Sequence, residues 1–131
     1  MKKIVFLLVL ISFVGFKTKT NTLSKGKIGM VKVMILYPNE EGKDFNMNYY
    51  VQKHMPMVAE LFGTPLKGYG IEEGITAASP EETPYVALGY FLFDSLEDYH
   101  NAFVPNAKEI LGDIPNYTSI KPVIQINNVL H

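Results

Sequence analysis

The residue with the greatest chemical reach is His54, in the run Tyr49-Tyr50-Val51-Gln52-Lys53-His54-Met55-Pro56. An imidazole exchanges a proton near neutral pH, so it can act as general base or acid. Tyr50 and His54 are four residues apart, which puts both on one face of a helix. That face is apolar: Met47, Tyr50, Val51, His54, Val58 and Leu61 follow a helical period. Leaving an imidazole unpaired in such a stripe costs about 1–3 kcal/mol, so it needs a partner. Two readings are open. In one, His54 is a core residue held by a backbone carbonyl, and the tyrosines only pack. In the other, it moves a proton while a tyrosine hydroxyl orients it or polarises a carbonyl. Pro56 lacks an N–H and so frees local carbonyls that could fix the imidazole tautomer. Asp44, ahead of the helix, reaches the same pocket only if its loop folds back.

Other residues offer less. His100 stands beside the second apolar stripe, where partial exposure is expected, and His131 is the last residue. Three scattered histidines without H-x-H or H-x₃-H spacing make no metal site. Glu72-Glu73 and Glu81-Glu82 read as solvated charge. The chain has no G-x-G-x-x-G, no G-x-x-x-x-G-K-[ST] and no G-x-S-x-G, so nucleotide cofactors and an acyl-transfer serine lack support. No cofactor and no metal are expected. Tyr37, Phe45, Tyr69, Tyr85, Tyr90, Phe91 and Phe93 could line an apolar pocket, though most such residues are plain core.

The 131 residues set a ceiling of one domain. With no cysteine there is no disulfide framework, no thiolate metal site and no cysteine nucleophile. All 12 basic residues are lysine. Residues 30–131 hold six of them against 13 acids, a net of −7. An arginine-free, acidic body has nothing to offset phosphate repulsion, which argues against nucleic acid and against anionic membranes. Residues 1–29 hold six lysines and no acid. Lys2-Lys3 followed by the 13-residue run Ile4–Phe16 has the form of a signal peptide. Residues 1–29 are therefore expected to be a leader packing on nothing, with export to the periplasm or beyond. No stable membrane association is expected once the leader is removed. No A-x-A site follows the run, and Lys17 and Lys19 stand directly behind it; a cytoplasmic protein starting at Met30 is the other reading.

The body must position His54. Met30–Tyr37 alternates as a strand, with Val31, Val33, Ile35 and Tyr37 on one face. A helix follows, capped by Asp44 or Asn46, interrupted or kinked at Pro56 and stopped by Gly63. Leu66–Ile75 is a second strand and Pro84–Phe93 a third, apolar enough to be central. Asp94 or Ser95 caps a second helix, with Ser95 and Asp98 in capping-box spacing, and this helix breaks at Pro105. Val123–Leu130 is the last strand. The order β-α-β-β-α-β predicts an α+β, ferredoxin-like fold: a four-stranded antiparallel sheet with two helices on one face. Asp44, Tyr49 and Leu61 recur as Asp94, Tyr99 and Leu111 at an offset of 50, consistent with a doubled βαβ unit. Two helices cover one sheet face only. The other face would expose a large apolar patch, so a homodimer packed sheet on sheet is expected.

Leu36-Tyr37-Pro38, Phe45, Tyr49-Tyr50-x₃-His54-Met55-Pro56 and the later Gly89-Tyr90-Phe91, Ser95 and Phe103 resemble the EthD family. The resemblance spans roughly residues 30–130. It implies a ferredoxin-like subunit that dimerises into an α/β barrel, linked to catabolism of small organic compounds and often labelled oxidoreductase. It further implies a pocket between sheet and helices, with His54, Tyr50 and Tyr49 as the catalytic candidates. Tyr37, Phe45 and Tyr90 are the matching candidates for contact with a small apolar organic substrate. An oxidoreductase acting without tightly bound cofactor, a cofactor-free isomerase and a non-catalytic binding or accessory protein all fit the residues.

Overall fold

The computed structural model describes residues 27–76 and 83–131. The Ile4–Phe16 run and Glu81-Glu82 lie outside the described residues. The folded part reaches back slightly beyond Met30. The Gly29 amide donates to the Val129 carbonyl, and the Val129 amide donates to the Met30 carbonyl. The last three residues assigned to the leader, Lys27 to Gly29, thus form a described turn that joins the end of the chain.

Four strands form one antiparallel sheet: β1 (Val31–Pro38), β2 (Gly68–Glu73), β3 (Tyr85–Phe93) and β4 (Val123–Asn128), in the order β2-β3-β1-β4. β1 and β3 are central, as the continuous apolar run of β3 requires. β2 is shorter than its apolar pattern. Beyond Glu73, Gly74 keeps a single bond to the Val86 carbonyl, and the chain leaves the ladder.

The first helical stretch has three parts: α1 (Met47–Tyr49), a π-helical turn (Tyr50–His54) and α2 (Met55–Phe62). Asn46, one of the two expected caps, accepts the Tyr49 amide at 3.0 Å through its side chain. Pro56 does not break the helix. Its missing donor leaves a carbonyl unpaired in the preceding turn. The turn ahead of it is widened: the Met55 amide bonds to the Tyr50 carbonyl, five residues back. Gly63, at φ +63°, ends the stretch. The second helical stretch comprises α3 (Leu96–Phe103), a 3₁₀ turn (Val104–Asn106) at Pro105, α4 (Ala107–Asp113) and a further 3₁₀ turn (Ile114–Asn116). The Ser95 hydroxyl caps α3 by accepting the Asp98 amide at 3.0 Å.

Both stretches cover the same sheet face. Val33, Tyr37, Ala87, Phe91 and Phe93 point into the core there, against Met55, Val58, Phe62, Tyr99 and Ile110. Alternation turns Met34, Leu36, Leu88 and Tyr90 to the opposite face, where none of the four is fully buried. Among the described residues, no helix is long and apolar enough to cross a membrane.

Candidate active site

The widened turn determines how His54 and Tyr50 meet. A π turn holds more than four residues, so positions four apart come nearly into line. The two rings stack, with centroids 5.7 Å apart and planes 17° from parallel. Both residues are buried. His54 is not held by a carbonyl that Pro56 frees. Its Nδ1 lies 2.8 Å from Oδ2 of Asp113, the last residue of α4. The Tyr49 hydroxyl donates to Asp113 Oδ1 at 2.8 Å, and the Asn116 amide donates to the same oxygen at 2.9 Å.

These bonds set the charge. Burial raises the Asp113 carboxyl, but donors from Asn116, His54 and Tyr49 outweigh it and leave it below its ordinary value. Burial lowers the imidazole of His54 below 6.5, and the neighbouring carboxylate only partly opposes this. Near neutral pH the pair is therefore carboxylate and neutral imidazole. An ionised carboxylate only accepts hydrogen bonds, so Nδ1 carries the proton and Nε2 keeps its lone pair. Nε2 has no hydrogen-bond partner among the described residues. The only partnerless polar side-chain atom sealed from solvent among them is Tyr50 Oη, so Nε2 is not sealed, and His54 is among the residues that line the space between sheet and helices.

That space is a cavity of about 360 Å³ between the sheet and the helices, at the small end of ligand pockets. Val33 and Ile35 of β1, Val58 and Phe62 of α2, Phe103 and Ile110 form much of its wall. Lys121 is the one charged side chain among the described residues lining it, apart from the titratable His54. The cavity is otherwise overwhelmingly apolar.

The residues expected at the site divide. Tyr50 lines the cavity with its ring, but its hydroxyl is turned into β3 at Gly89, where a Cβ would collide with it. Burial raises its pKa far above the ordinary tyrosine value, so the hydroxyl stays protonated. Polarising a substrate carbonyl is not the role this position gives it. Tyr49 acts on Asp113 rather than on the cavity. Tyr37 and Phe45 stand behind Tyr50 as an aromatic wall, edge-on at 5.6 and 5.1 Å, and neither lines the cavity. Tyr37 is bonded to the Tyr117 hydroxyl at 2.6 Å, and burial pushes it up to about 12 despite that bond. Tyr90 does not join the group. Gly89 faces Tyr50, so the next residue along the strand faces away; Lys32 lies over its ring at 4.3 Å. Asp44 is exposed and contributes only its backbone carbonyl, to the Thr118 hydroxyl. His100 and His131 are exposed and outside the cavity. Among the described residues, no cluster of histidine and acid side chains could hold a metal ion.

Asp113, Tyr117 and Lys121 went unanticipated. Asp113 is 59 residues from His54, and no local spacing joins them. Tyr117, buried at 4.6 Å from the His54 ring, follows a helix end with no periodic signal.

Residues 40–121 match the EthD domain model, a segment that contains Tyr49, Tyr50, His54, Asp113, Tyr117 and Lys121. The chain belongs to the EthD family. An EthD-like protein from Ralstonia eutropha JMP134 is 42% identical, with a TM-score of 0.75 over 80% of this chain and 96% of that one. An ethyl tert-butyl ether D (EthD) family protein from Bacillus halodurans C-125 is 17% identical, with a TM-score of 0.60 over 77% of this chain and 99% of that one. A Bacteroides fragilis protein described as dimeric, of unknown function and ferredoxin-like fold, is 15% identical over 77% of this chain and 97% of that one, with a TM-score of 0.48. No curated protein matches the sequence. The EthD domain here is a ferredoxin-like α+β unit, as the order of its elements requires.

Proposed function

We propose that this EthD protein is a proton-transfer enzyme acting on a small apolar carbonyl compound, with His54 as the base. One observation carries the reading: Nδ1 of His54 lies 2.8 Å from the Asp113 carboxylate while the same residue lines an apolar cavity, an arrangement that leaves Nε2 as the basic nitrogen. Nε2 takes a proton from the carbon beside the carbonyl, and the C–H electron pair moves onto the carbonyl oxygen as an enolate. Asp113 stabilises the imidazolium that forms, as a buried carboxylate does for a base histidine. Where a carbon–carbon double bond follows the abstracted carbon, the electron pair spreads through it, and return of the same proton at its far carbon completes an isomerisation, the reaction the dyad can finish alone. Oxidation without a tightly bound cofactor would begin with the same abstraction and pass the electron pair to dioxygen. A binding protein needs only the apolar volume; it has no use for a carboxylate that orients the imidazole.

The apolar sheet face is the proposed homodimer interface, and the Ile4–Phe16 run is the proposed export signal. An intact Met1 on protein isolated from the cytoplasm of its own cells contradicts export.

The test is solvent exchange. Aryl alkyl ketones such as butyrophenone, incubated with the protein in D₂O, should gain deuterium beside the carbonyl. His54→Gln should slow this roughly 10²–10⁴-fold while staying folded. Equal exchange by both proteins overturns the reading.

A further inference from the structure

We infer that the substrate is an amphipathic acid, an apolar body that ends in a carboxylate held by Lys121. The inference rests on the cavity being the substrate site. Every other lining group is apolar or aromatic except His54, so the cavity offers one fixed charge, and it is positive. Lys121 is exposed whereas His54 is buried, which puts the ammonium where the cavity meets solvent and the base in its depth. No carboxylate among the described residues neutralises it. The ion pairs found there are Lys43–Glu40, His54–Asp113 and Lys67–Asp94.

The chain on both sides of Lys121 is anchored. Ile120 is buried, and its amide donates to the Thr118 hydroxyl at 3.0 Å. Pro122 lines the cavity beside it, and β4 begins at Val123. The lysine stem therefore starts from a fixed point on the rim. A long charged side chain at an apolar edge lays its stem along the wall and turns its head to water. The body of the protein is acidic, at −7 over residues 30–131, so a neutral apolar substrate would gain nothing from a cation here. An anionic one needs a local positive charge to enter. A carboxylate bound at the rim also fixes how far the rest of the molecule extends toward His54, which selects the carbon that meets Nε2.

The test uses two probes with one body. 3-Benzoylpropionate and butyrophenone share the phenyl ketone and differ at the far end, carboxylate against methyl. Binding to the full chain is followed by calorimetry at low salt. The acid should bind on the order of tenfold more tightly than the ketone, as a charge-assisted contact permits. Lys121→Ala should abolish that preference, Lys121→Arg should keep it and Lys121→Glu should reverse it. Added salt should shrink it. Equal affinities in the wild type, a preference that survives Lys121→Ala, or no binding of either probe overturns the inference. His54→Gln separates the two claims. It should keep the acid preference, so a lost preference with intact His54-dependent exchange refutes the acid and spares the base. A retained preference without exchange does the opposite.

Discussion

At the scale of residues, the site is an imidazole with its two nitrogens in different surroundings. Nδ1 is bound by a carboxylate that itself receives two further donors, and the ring lines an apolar cavity. Burial lowers the proton affinity of His54, while Asp113 raises it. The base form is the neutral one, so turnover should rise with pH on a limb lying below 6.5. Asp113→Asn removes the opposing contribution, so that limb should move to lower pH while the plateau rate falls, because an amide can hold the imidazole in either tautomer. A limb that moves to higher pH contradicts the assignment. The same shift bears on stability. Folded His54 binds a proton less readily than unfolded histidine, so its contribution is fully present above 6.5 and is lost as pH falls below it. Asp113, lowered in the folded state, adds a loss below its ordinary range near 3.8.

At the scale of elements, the π turn and β3 hold the dyad's aromatic partner. Tyr50 lies flat enough on the sheet that its hydroxyl occupies the place of a side chain at position 89. Gly89→Ala should push Tyr50 toward the cavity, and Met55 would be crowded too, with Cε at 3.1 Å from the new methyl. Overpacking of this kind costs about 1–3 kcal/mol, measurable by denaturant melting, and it should weaken probe binding in parallel. An alanine variant with unchanged stability and binding would show that Tyr50 is free to move. Much of this level was legible in the sequence. Strand alternation, the Asn46 and Ser95 caps and the stop at Gly63 are local signals, and each element carries its own. The π turn was not legible, because Pro56 announces a disturbed helix without saying whether the chain will kink or widen. Asp113 was not legible either, since the contact is made by the packing of α4 against the first helical stretch. Tyr90 was misplaced because resemblance marks a residue but not the side of the sheet it faces.

At the scale of the whole molecule, the chain covers one face of its sheet with helices and leaves the other partly open. Met34 and Leu36 of β1 meet Leu88 and Tyr90 of β3 on that open face. Burying them against a second copy would remove an apolar patch from water at about 25 cal/mol per Å². Sedimentation at low micromolar concentration should give twice the chain mass, and Leu88→Asp should give a monomer. A well-folded wild-type monomer contradicts the sheet-to-sheet dimer.

The proposed chemistry needs His54 as a neutral base with Nε2 unprotonated and available. Long-range ¹H–¹⁵N NMR of the imidazole reads this directly, with His54→Gln identifying the signals. An Nδ1–H tautomer at pH 7 and a midpoint below 6.5 are expected. An Nε2–H tautomer, or a midpoint above 6.5, would contradict that chemistry.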